Sequence, residues 1–127
     1  MAKILIVEDS PTQLEGLKRA VEHMGHLPFC AGDGDEAIQM ALDIKPDLIL
    51  MDVIMPNHNG FQATRTLARN VNTSHIPVII LTSKTGEADR LWGLRQGAKE
   101  FLTKPVDPNH LTAIIEQHLS ATKLKET

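Results

Sequence analysis

Tyrosine is missing from this chain, cysteine occurs once, and aromatic residues make up 3% of its 127 positions. With one Trp and three Phe, a flavin site built on stacked rings has little to draw on. The single Cys30 excludes an internal disulfide and suits a reducing cytoplasm. Its apolar neighbours Phe29 and Ala31 make a buried structural thiol the expectation. The 13 basic and 16 acidic residues are scattered along the chain and leave a net charge of -3, with no basic run. That is not the electrostatic footprint of a nucleic-acid binder. No apolar run approaches the ~20 residues of a membrane span, and Met1-Ala2-Lys3-Ile4 enters an apolar stretch too short for a signal peptide. His23, His26, His58, His75, His110 and His118 show no metal-ligand spacing and read as surface or helix-flank residues. The expectation is one cytoplasmic domain whose core is aliphatic, since 42% of the chain is hydrophobic and the length suits one core and not two.

Short apolar runs alternate with helical patterns. Ile4 to Val7 is a β-branched-rich strand that ends in Glu8-Asp9. Ser10 then stands at an N-cap, Pro11 at the first helical position and Gln13 three residues after the cap. Leu14, Leu17, Val21 and Met24 recur at helical spacing, and Gly25 is a natural stop. Leu27 to Ala31 is a second strand in which Pro28 points to a sheet edge. Gly32-Asp33-Gly34 opens a helix carrying Ala37, Ile38, Ala41 and Leu42, which must stop before Pro46. The third strand, Asp47 to Met51, runs into Asp52. Beyond the Pro56 to Gly60 loop, Phe61, Thr64, Leu67 and Ala68 share a helical face, and Asn70 to His75 form a polar link. Pro77 to Leu81 make a fourth strand ending in Thr82-Ser83. A helix over Glu87 to Gln96 closes at Gly97, and Trp92 falls outside its best apolar stripe. Glu100 to Thr103 form a fifth strand ending in Lys104-Pro105. Asp107-Pro108 opens the last helix, with Leu111, Ile114, Ile115, His118 and Leu119 inward. Residues 1–121 then read as one domain and 122–127 as a polar, frayed tail.

Five strands alternating with five helices argue for an α/β fold, an open parallel sheet covered on both faces. Sites in such sheets form beyond the carboxyl ends of the strands. There this chain places Glu8 and Asp9, Asp52, Thr82 and Lys104. In the flavodoxin-like order 2-1-3-4-5, strands one and three are neighbours, and the three acidic groups meet. Converging carboxylates repel unless a cation lies between them, and an all-oxygen set suits Mg²⁺. A carboxylate can also attack a phosphoryl group, a transfer that needs charge neutralisation and in-line placement more than acid or base chemistry. Singly, each residue has a bland reading as well: Asp52 a turn former, Glu8 and Asp9 helix-end acids, Thr82 an N-cap, Lys104 a solvated charge.

Taken together, Glu8-Asp9, Asp52-Val53-Ile54-Met55-Pro56 with Gly60, Thr82-Ser83 and Lys104-Pro105 resemble the receiver domain of two-component response regulators over essentially the whole chain. The resemblance implies a (βα)5 doubly wound sheet of order 2-1-3-4-5. It makes Asp52 the phosphoacceptor, and it makes Asp9, Asp52 and the backbone carbonyl of Ile54 ligands of Mg²⁺, with Glu8 in the outer shell. Thr82 and Lys104 would contact the phosphoryl group, Phe101 would be the switch aromatic, and the Lys104–Pro105 bond would be cis. Glu8 stands where many receivers have Asp, and Phe101 where many have Tyr. The implied partners are a sensor histidine kinase and a downstream protein bound through the face of helix four, strand five and helix five. A monomer is expected, with no nucleic-acid or membrane partner and no catalysis beyond its own phosphorylation and dephosphorylation. Ile54 and Lys84 would flank the attacking water. No output domain follows Ala121, so the signal is expected to leave by protein contact.

Asn59-Gly60-Phe61-Gln62-Ala63-Thr64-Arg65 and Leu91-Trp92-Gly93-Leu94-Arg95-Gln96-Gly97 resemble the single-domain regulators of type IV pilus twitching motility. A flagellar chemotaxis regulator and a phosphate sink are the alternatives within the family. Outside it stand a metal-dependent phosphatase, which would want an acid where Ile54 stands, and a docking module that is never phosphorylated.

Overall fold

The computed structural model describes residues 1–53, 60–83 and 86–121 in full, and 122–126 as backbone. Strands and helices alternate along them: β1 (Lys3–Val7), α1 (Pro11–His23), β2 (Leu27–Ala31), α2 (Gly34–Ile44), β3 (Leu48–Met51), α3 (Gly60–Arg69), β4 (Val78–Thr82), α4 (Glu87–Arg95), β5 (Glu100–Thr103) and α5 (Pro108–Glu126). The strands form one parallel sheet in the order β2-β1-β3-β4-β5. Pro28 lies on the edge strand β2, where its missing N–H costs no ladder bond on the open side.

Successive side chains in a strand leave by opposite faces, and the core divides accordingly. Leu5, Val7, Ile49, Met51, Val78 and Ile80 pack with Ala37, Ala41, Phe61 and Leu67 from α2 and α3. Their neighbours Ile4, Ile6, Leu48, Leu50, Ile79 and Leu81 pack with Val21, Leu111, Ile115 and Leu119 from α1 and α5. The all-apolar strands are thus buried on both faces, as a parallel sheet requires.

Local signals behave as the residue types dictate. The Ser10 hydroxyl accepts from Gln13 N at 3.4 Å, with Pro11 opening α1. Asp33 caps α2 by accepting from Glu36 N at 2.8 Å, and Gly25 ends α1 at φ 83°. In the polar link, Thr73 is buried and its hydroxyl donates to the Leu67 carbonyl at 2.7 Å.

Three expectations need correction. The segment 122–126 is helical, continuing α5, because Ala, Lys, Leu and Glu are good helix formers and nothing after Pro108 breaks the helix. Cys30 is only partly buried, since its strand lies on the sheet edge. Two histidines do more than cover the surface. His26 pairs with Glu116 at 2.9 Å and accepts from Ala2 N at 3.0 Å. His118 pairs with Glu100 at 3.1 Å. These contacts tie α5 to the turn before β2 and to β5, a partnership between distant segments that spacing alone does not reveal.

Candidate functional site

Each strand that feeds the site extends its ladder by one residue. Glu8 N donates to the Ala31 carbonyl at 3.0 Å, Asp52 N to Val7 at 3.0 Å and Lys104 N to Thr82 at 2.8 Å. The last hydrogen bond of the sheet therefore places each functional backbone at the strand spacing of about 4.8 Å from its neighbour. Glu8, Asp52 and Lys104 also continue the alternation of Ile6, Leu50 and Leu102, the residues that face α1 and α5.

Carboxylate oxygens of Glu8, Asp9 and Asp52 lie within 4.8 Å of one another. Glu8 and Asp52 are buried, 2% and 7% exposed, while Asp9 is open to solvent. The Lys104 ammonium enters this cluster from β5. Its Nζ lies 2.6 Å from Glu8 Oε1 and 3.8 Å from Asp52 Oδ2, and it also donates to Gln13 Oε1. The other oxygen of Glu8 accepts from Ser10 N at 3.2 Å. Burial pushes the Glu8 carboxyl up, but the Lys104 hydrogen bond and charge, the Ser10 N–H and a contact with Asp52 outweigh it. The net effect holds the carboxyl below its ordinary value of 4.5.

One lysine cannot balance three carboxylates. The donor set is all oxygen, with one member facing water, and this fits a hard divalent ion that keeps part of its hydration shell, such as Mg²⁺. A cleft of about 560 Å³ opens beside the cluster, walled by Gln13, Leu17, Ser83, Val106 and Leu111. The Lys104–Pro105 bond is cis.

Thr82 is fully buried at the end of β4, in register with Thr103. Phe101 pairs with Ile80 and packs against the α2 and α3 side of the core. An ideal Cβ on Gly60 would come 2.5 Å from the Asp52 carbonyl oxygen and 2.7 Å from Val53 Cα. Only glycine lets α3 begin this close to the acidic residue. Ile54 and Lys84 lie outside the described residues.

The structure thus brings Glu8, Asp9, Asp52 and Lys104 into one cluster, and seats Thr82 and Phe101 on the adjoining strands. Spacing alone assigns Gln13 to the α1 cap and does not reveal its contact with Lys104. The signal was faint: a polar residue at the third helical position, one turn from the acidic pair.

The family model for the response regulator receiver domain matches residues 4–116. The chain belongs to that family. This receiver is 49% identical over 120 residues to Protein PilH of Pseudomonas aeruginosa, covering 94% of the chain and 99% of PilH. It is 39% identical over 124 residues to the response regulator PleD of Caulobacter vibrioides, covering 98% of the chain but 27% of PleD. Among solved structures, it superposes on the receiver domain of a sensor histidine kinase from Pseudomonas aeruginosa. The TM-score is 0.87 at 29% identity, over 94% of this chain and 98% of the other. That structure has a magnesium ion coordinated in its active-site cleft.

Proposed function

We propose that this receiver takes a phosphoryl group onto Asp52 from the phosphohistidine of a sensor histidine kinase. It then signals to a downstream protein through the face of α4, β5 and α5. The observation that carries this reading is the buried Asp52 carboxylate, with the Lys104 ammonium 3.8 Å away and Glu8 and Asp9 carboxylates within 4.8 Å.

Asp52 Oδ attacks phosphorus, the phosphorus–nitrogen bond of the donor breaks, and an aspartyl phosphate results. Asp9 and Asp52 would hold Mg²⁺ directly, with Glu8 in the outer shell. When bound, the ion neutralises charge on the transferring group. Lys104 supplies a second positive charge, and Thr82 donates its hydroxyl to a phosphoryl oxygen. The new charge on Asp52, nearly two units, favours the arrangement in which Thr82 is drawn toward it. Phe101, on the strand beside Thr82, carries that shift to the outer face. Leu91 and Trp92 on α4 are about half exposed there, at 52% and 49%, which suits a partner-binding surface. The near full-length similarity to PilH and the two resembling segments support a place in type IV pilus control.

The test is phosphorylation by acetyl phosphate, read by intact mass. The native chain should gain one phosphoryl group with Mg²⁺ present, and Asp52→Asn should gain none. Labelling that persists at another residue would overturn the assignment.

A further inference from the structure

Of the three N–H bonds on the Lys104 ammonium, one is directed to Glu8 Oε1 and one to Gln13 Oε1. Asp52 Oδ2, at 3.8 Å, is beyond hydrogen-bond reach. The Gln13 contact depends on an altered helix cap. In a capping box, the Gln at the third helical position reaches back to the N–H of the capping residue. Here Glu8 Oε2 takes the Ser10 N–H at 3.2 Å, while Ser10 Oγ still accepts from Gln13 N. The cap therefore fixes the Gln13 backbone and leaves its side-chain amide for Lys104. An aspartate at position 8, one methylene shorter, reaches less far toward both partners.

We infer that Gln13 is a positioning residue that, with Glu8, clasps Lys104 in the resting state and holds its ammonium 3.8 Å from Asp52 Oδ2, so that drawing Lys104 onto a phosphoryl group there loosens the Gln13 half of the clasp. The inference rests on the proposed contact between Lys104 and the phosphoryl group. The Glu8 half is part-buried and joins two charges; the Gln13 half is solvent-exposed and joins a charge to a neutral amide. The weaker half yields first. Gln13 thus raises the threshold for phosphoryl uptake by acting through Lys104.

Two substitutions separate this role from a packing role. Gln13→Met keeps the length of the side chain and removes the amide acceptor. Gln13→Glu keeps an acceptor at the same reach and adds charge assistance. Uptake from acetyl phosphate at saturating Mg²⁺ should rise roughly three- to tenfold in Gln13→Met, the effect of one hydrogen bond, and should fall in Gln13→Glu. An independent readout is the acetylation rate of Lys104 by a limiting amine-reactive reagent, mapped by peptide mass and compared with the exposed Lys99. Lys104 labelling should rise in Gln13→Met and fall in Gln13→Glu, with Lys99 unchanged. Equal Lys104 labelling in all three proteins, or measurable uptake rates within twofold of one another, would overturn the clasp. A native protein that takes up no phosphoryl group at Asp52, yet shows the labelling difference, would retain the clasp and overturn the proposed function instead.

Discussion

The Glu8 carboxylate uses both of its oxygens inside the protein, one on the Lys104 ammonium and one on the Ser10 amide. Removing it takes from the Lys104 ammonium a charge-assisted hydrogen bond and leaves it the Asp52 carboxylate at 3.8 Å and the Gln13 amide, a loss of about 1.5–3 kcal/mol. Glu8→Ala should therefore lower the urea midpoint well beyond the effect of Glu15→Ala, an exposed control on α1. The depressed carboxyl also sets a pH dependence. A group whose folded value lies below its ordinary one contributes stability in full above the ordinary value, and that stability is lost as pH falls through the folded value. The Glu8 contribution should be complete above about pH 4.5 and disappear on acidification. Urea unfolding across pH 3 to 7, about the range in which carboxylates titrate, should show a shallower acid-side loss in Glu8→Gln than in the native chain.

At the scale of elements, the two-residue period of the strands sends the acidic cluster and Thr82 to opposite faces of the sheet. Glu8, Asp52 and Lys104 extend the rows that face α1 and α5, while Thr82 follows Val78 and Ile80 toward the side where Phe101 packs. Helix α4 closes over Phe101 through Gly93, where an added Cβ would stand 3.0 Å from Ile80 Cδ1, 3.0 Å from Phe101 Cδ2 and 3.3 Å from Phe61 Cε1. Gly93→Ala should displace these three side chains together, an overpacking cost of about 1–3 kcal/mol offset by a helix-propensity gain of about 1 kcal/mol, so the thermal midpoint should fall by less than overpacking alone would give. Gly60→Ala should be worse for function. Its contacts are with backbone, at 2.5 and 2.7 Å, so the Asp52 segment itself must move, and phosphoryl uptake should fall more than stability does. Trp92 is the single Trp and sits half exposed on α4, so its emission reports on the proposed output face. Phosphorylation should change that emission in the native chain and leave it unchanged in Phe101→Ala.

For the whole molecule, the strand order decides which residues can meet. With β1 between β2 and β3, residues 8, 9 and 52 converge at one end of the sheet, and β5 brings residue 104 to the same end from the far edge. The cluster carries three carboxylates against one lysine, so a cation that binds the folded chain alone should stabilise it by mass action. At a tenfold excess of Mg²⁺ over its dissociation constant the gain is about 1.4 kcal/mol. The thermal midpoint should rise with Mg²⁺ in the native chain, return on chelation, and stay flat in Asp9→Asn. A rise of equal size in Asp9→Asn would remove that residue from the cation set.

Local order was legible without coordinates. The alternation of apolar runs and helical stripes, the Ser10-Pro11 start of α1, the edge placement of Pro28 and the position of Glu8, Asp52 and Lys104 just past a strand all depend on neighbours within a few positions, where spacing and residue type act directly. What remained for the tertiary structure was pairing across distance. Lys104 meets Glu8 and Gln13 from more than ninety positions away, His26 meets Glu116, and Leu91 and Trp92 stay outside because Gly93 is the residue α4 buries. Periodicity assigns a side chain to a face, but the oxygen that an ammonium finally binds depends on angstrom-scale distances set by the packing of α1 and β5 on the same sheet. Residue order is enough to put an acidic site at the sheet's carboxyl end; the packing sets its lysine in hydrogen bonds to Glu8 and Gln13 and in a longer ion pair, at 3.8 Å, with Asp52.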